Sequence, residues 1–86
     1  MRTVAIYREQ SEVATATETF MRDFERQTGH TIEVIDPDSR DGAELCRTYD
    51  IVEYPSLVVL DDNGVMQQLW RGLPMPLISE VSFYAR

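Results

Sequence analysis

Apolar positions along this chain fall into two unbroken runs and several interrupted ones. Thr3–Tyr7 and Ser56–Leu60 are continuous, without alternation, the pattern of strands buried on both faces. Thr31–Ile35 alternates, with Ile32 and Val34 on one side and Glu33 on the other, which reads as a half-exposed edge strand. Val65–Trp70 is made polar by Gln67 and Gln68 and reads as a second edge.

Elsewhere the period is helical. Val13, Ala16, Phe20 and Phe24 recur at helical spacing, so a helix over about 12–27 places them on one stripe. Ser11 stands at its N-cap position and Gly29 where a left-handed C-cap ends it. Asp36-Pro37-Asp38-Ser39 is a turn. Asp41 with Glu44 predicts a capping box for a short helix through about Tyr49, with Leu45, Cys46 and Tyr49 inward. Asp62-Asn63-Gly64 permits a tight hairpin between the last two strands. Gly72 and Pro74 end the strand pattern, and Pro76 opens a last helix carrying Leu77, Ile78, Val81 and Tyr84.

The order is β-α-β-α-β-β-α. A turn as tight as Asp62–Gly64 makes the last two strands antiparallel, because a parallel neighbour needs a crossover of a dozen or more residues. With apolar strands central and mixed strands outside, the expected fold is α/β, a four-stranded mixed sheet in order 2-1-3-4 with helices on both faces. At 86 residues the chain has room for one domain, spanning 1–86.

Composition narrows the function more than the fold. Fifteen acidic side chains against eight basic ones leave a net charge of −7, and every basic residue is Arg. Nucleic-acid footprints are basic, so no nucleic-acid partner is expected. Without Lys, Schiff-base chemistry has no side chain to use. Cys46 is the one cysteine, which rules out an internal disulfide and metal sites built on paired cysteines. The start has no apolar stretch of signal-peptide length, and Leu57–Leu60 is far too short to span a bilayer. The expectation is a cytoplasmic chain with no membrane partner, no cofactor and no metal.

Tyr49-Asp50-Ile51-Val52-Glu53-Tyr54-Pro55-Ser56 running into Leu57–Leu60 resembles a stretch of the thioredoxin superfamily. There, Tyr-Gly-Ile/Val-x-x-x-Pro-Thr enters an apolar strand and the proline is cis. Asp61–Gly64 and Trp70-Arg71-Gly72 are similar to the family's hairpin and the end of its last strand. The resemblance covers the whole chain in the minimal form, without an extra N-terminal strand and helix. It implies a thioredoxin-like fold and a cis Tyr54–Pro55 bond. Redox members open the first helix with Cys-x-x-Cys, where the helix N-terminus lowers the thiol pKa. Here that segment is Tyr7-Arg8-Glu9-Gln10-Ser11-Glu12-Val13. Val4–Tyr7 also has no counterpart of the acidic residue that many of the catalysts bury. Dithiol chemistry is not implied.

Single candidates are weak. Cys46 in the second helix reads as a small packed hydrophobe. Ser11 as a nucleophile needs a base, and the only histidine, His30, follows the far end of the same helix. Asp36-x-Asp38-x-x-Asp41-Gly42 is one residue too long for a calcium loop, and Arg47 holds the bidentate position. What the resemblance brings together is a face: Glu9, Gln10, Ser11 and Glu12, then Tyr54 and Pro55, then Arg71, Gly72 and Leu73. The first reading is a non-catalytic domain binding a protein or peptide there by strand addition. The alternative is a single-cysteine redox or glutathione-handling protein using Cys46; a third is self-association.

Overall fold

The two continuous apolar runs lie side by side in the middle of the sheet. In the computed structural model, which describes residues Met1–Ala85, β1 (Arg2–Ile6) pairs antiparallel with β3 (Ser56–Leu60). Outside them, β2 (Glu33–Ile35) runs parallel to β1 and β4 (Met66–Arg71) antiparallel to β3, giving the order 2-1-3-4. Helices α1 (Ala14–Thr28), α2 (Arg40–Tyr49) and α3 (Ile78–Tyr84) complete the expected order.

Alternation along the central strands divides the interior into two layers. Ala5, Tyr7 and Leu57 face Phe20, Met21 and Phe24 of α1 and Val81 of α3. Val4, Ile6, Val58 and Leu60 face Cys46 of α2 and Ile51 after it. Every residue of β3 is buried, as a strand covered on both sides requires.

Several boundaries differ from the sequence reading, each for a local reason. Ser11 does not cap α1: its hydroxyl donates to the Arg8 carbonyl at 2.6 Å, and Val13 holds the N-cap without a side-chain bond. Ser11–Val13 form a turn before the helix instead. Ala16 is exposed, and the inward stripe runs through Ala14, Thr17, Phe20, Met21 and Phe24. Thr17 is tolerated there because its hydroxyl donates to the Val13 carbonyl at 2.8 Å. Ser39, rather than Asp41, caps α2 and accepts from Gly42 N–H at 3.0 Å. Leu77 precedes α3 and is 67% exposed, so it adds nothing to the core. Val34 in the short β2 is also exposed.

Gly42 shows why α2 can lie so close. A Cβ there would stand 1.9 Å from the Asp36 carbonyl oxygen, so only glycine lets the first turn of α2 pack against the turn after β2. Asp50 ends α2 with φ +56, where the family resemblance has glycine. Short acidic side chains are among the few that accept this region. Tyr49 Oη donates to the Gly64 carbonyl and ties α2 to the hairpin.

Candidate functional site

Sheet register, not chain proximity, assembles the face. Ile6 pairs with Ser56 and Ser56 with Arg71, so the end of β1, the start of β3 and the end of β4 lie in one row. The segments leaving that row are residues 7–13, the Tyr54–Pro55 loop and Gly72-Leu73. Tyr54–Pro55 is cis, as is Leu73–Pro74. Gly72 N–H donates to the Pro55 carbonyl at 2.8 Å and fastens the two loops together.

The proline loop is satisfied on either side of Tyr54. The Glu53 carbonyl accepts from Ser56 Oγ, and the Pro55 carbonyl from Gly72. Neither backbone group of Tyr54 takes a hydrogen bond among the described residues. Its half-buried ring packs on the α2 side, with Oη 3.9 Å from Cys46 Sγ. Burial, with the neighbouring thiol, pushes the Tyr54 phenol above its ordinary range.

Arg8 covers that ring. Its guanidinium carbon lies 5.0 Å from the Tyr54 centroid, within cation–π range. The same guanidinium grips Asp38 with two bonds, Nε–Oδ2 at 2.7 Å and Nη2–Oδ1 at 3.0 Å. These bonds hold the Asp38 carboxyl below the usual carboxylate range. On the other side of β1, Tyr7 Oη donates to Glu18 at 3.1 Å, and burial pushes the Tyr7 phenol up to about 12.

The nine residues expected at this face are not equally presented. Glu9, Gln10, Glu12, Arg71 and Leu73 are exposed, while Ser11, Tyr54 and Gly72 are half-buried. Pro55 is buried and shapes the loop from within. Arg8 and Asp38 were missed in the sequence. Thirty positions separate them, and no local period connects a loop arginine with an aspartate in a distant turn. With Glu9, Gln10 and Asp36 they line a cleft of about 340 Å³. A larger cleft of about 620 Å³ lies at the opposite end of the sheet, between α2 and the hairpin.

Cys46 is 9% exposed, beneath the Tyr54 ring rather than at the opening of α1. Among the described residues no three His, Cys, Asp or Glu side chains are grouped to hold a metal ion. None of the described helices is long and apolar enough to cross a membrane.

This architecture matches that of solved thioredoxins. Thioredoxin 1 from the thermophilic eubacterium Thermosipho africanus superposes with a TM-score of 0.68 at 18% identity, covering 99% of this chain and 90% of that one. A malarial protein superposes with a TM-score of 0.68 at 15% identity, over 95% of this chain and 93% of that one. No protein-family model matches the sequence, and no curated protein does. The chain has a thioredoxin-like fold with a single cysteine and no Cys-x-x-Cys.

Proposed function

We propose that this chain is a non-catalytic thioredoxin-like domain that binds an extended protein or peptide segment at the proline-loop edge. The observation that carries the reading is the unpaired Tyr54 backbone, flanked by two carbonyls already bonded within the protein. An extended segment completes such a gap by strand addition. Leu73 offers apolar contact, and Arg71 donates to a carboxylate. Glu9 and Glu12 disfavour acidic residues at the other end, so the ligand is a segment of mixed charge. The buried Cys46 gives the single-cysteine redox alternative little support, because reactive thiols need exposure and a positive setting.

Binding of mixed-charge peptides, selected by display and mapped by NMR, tests the proposal. Tyr54→Ala weakens a selected peptide by at least about 1 kcal/mol, while Glu33→Ala on the opposite edge leaves binding unchanged. The Tyr54 ring is partly packed, so circular dichroism must show that the variant folds. The reverse pattern of effects places the interface on β2 and removes the reading. Insulin–disulfide reduction is expected to show no turnover; turnover abolished by Cys46→Ser overturns the non-catalytic assignment. A Cys46 thiol that titrates only after denaturation removes the redox alternative.

A further inference from the structure

Strand β4 is a free edge of the sheet, six residues long, with Arg71 its only charge. In an antiparallel pair, backbone groups alternate between those bonded to the neighbour and those facing away. Gly72 N–H donates to the Pro55 carbonyl, one residue beyond the Ser56–Arg71 pair. Counting back by two turns Trp70 and Gln68 toward β3. Leu69 and Arg71 therefore face outward.

The outward Leu69 N–H is already taken. It donates to Oε1 of Gln68 at 2.9 Å, and Nε2 of that amide donates to Tyr84 Oη at 3.3 Å. The Tyr84 ring meets Trp70 edge-on, centroids 5.8 Å apart, so α3 holds the amide in place. Beyond the bulge between Val59 and Leu60, Gln67 Nε2 donates to the Val65 carbonyl at 3.2 Å and to Asp61 at 3.3 Å. The Val65 carbonyl also accepts from Asp61 N–H and so faces the hairpin, which leaves Gln68 as the amide that covers an outward-facing group of β4. The other edge, β2, is only three residues long.

We propose that Gln68, clamped by Tyr84, is an intramolecular plug on β4 that keeps this chain from pairing edge to edge with a second copy. Exposed edges are templates for strand addition, and proteins block them with particular side chains. The strand that fits here is β4 itself. Antiparallel pairing centred on Leu69 makes the two Leu69 residues a bonded pair and sets each Arg71 opposite Gln67, so no like charges meet. A second copy must first displace the Gln68 amide from Leu69.

Sedimentation over a concentration series, at about 0.15 M salt to screen the acidic surface, tests the plug. Wild type sediments as a monomer throughout. Gln68→Val removes the amide and dimerises, with a dissociation constant at least about tenfold below that of wild type. Tyr84→Phe removes only the clamping hydroxyl and shifts association the same way by less; it carries the test if Gln68→Val does not fold. Adding Leu69→Pro to either variant deletes the outward N–H without removing a bond to β3, and restores the monomer. In dilute samples the Leu69 amide exchanges faster in Gln68→Val than in wild type. A dimeric wild type, monomeric folded variants, or a dimer that survives Leu69→Pro overturns the proposal.

Discussion

The two faces of the sheet are held by different means. On the α1 and α3 face, Phe20 and Phe24 stack with centroids 6.1 Å apart over Ala5, Tyr7 and Leu57, with Trp70 and Met75 at the margin. On the α2 face one short helix covers Val4, Ile6, Val58 and Leu60, and only Gly42 and Cys46 of that helix are buried. Large aromatic area stabilises the first face. Close backbone approach at Gly42 and two polar ties, Tyr49 to the hairpin and Arg8 to Asp38, secure the second. The candidate site leans on the second face, through Tyr54. None of the nine candidate-site residues belongs to the first face, whereas Tyr54 packs into the second.

The largest test of this division is Phe24→Ala, at a fully buried position of the first face. Truncating a buried phenylalanine destabilises by about 3–5 kcal/mol, read as a lower midpoint in urea unfolding. A loss under about 1 kcal/mol contradicts the aromatic account of that face.

Gly42→Ala probes the second face. The added methyl meets a backbone carbonyl, which cannot rotate away as a side chain does, so α2 must shift outward. Overpacking of this kind costs about 1–3 kcal/mol. The NMR shifts of Cys46 and Tyr54 move with α2, whereas those of Phe20 and Phe24 stay in place. Movement on both faces joins them into one unit.

Asp50→Gly works in the opposite direction. At φ +56 glycine relieves the left-handed strain of a residue with a Cβ, raising stability by up to about 1 kcal/mol. Chemical unfolding of the variant measures the sign.

The smallest effect is electrostatic, at the rim of the second face. Asp38 has its pKa lowered by the Arg8 bonds, so the folded state holds its charge more firmly than the unfolded chain does. That contribution is present above the ordinary carboxylate range and disappears as pH falls through the lowered pKa. Arg8→Ala returns the Asp38 titration, followed by carboxyl carbon shifts, toward the ordinary range. An unchanged titration removes Arg8 from the account.

Much of the fold was legible because its signals are local. Ser56–Leu60 reads as a central strand from five adjacent residues, and Asp62–Gly64 reverses the chain by its own backbone preferences. The caps were less legible. Ser11, Ser39 and Asp41 are all acceptable helix starters, and the choice among them fell to contacts that local sequence does not encode. Ser11 was claimed by the Arg8 carbonyl, and Ser39 was placed by the turn from Asp36.

The candidate site divides along the same line. Its proline loop and the glycine ending β4 stand out by order and spacing, while Arg8 and Asp38 do not. By itself the sequence determined the two central strands, the tight hairpin, the absence of a cysteine pair and the acidic balance, since these depend on composition and on patterns within one short stretch. Only the tertiary structure decided that Arg8 would lie on Tyr54 and grip Asp38, that Cys46 would be covered, and that Gln68 would close the edge of β4. Those contacts join residues from different strands, helices and loops. Their geometry is set by sheet register and helix packing, and no local stretch of chain contains either.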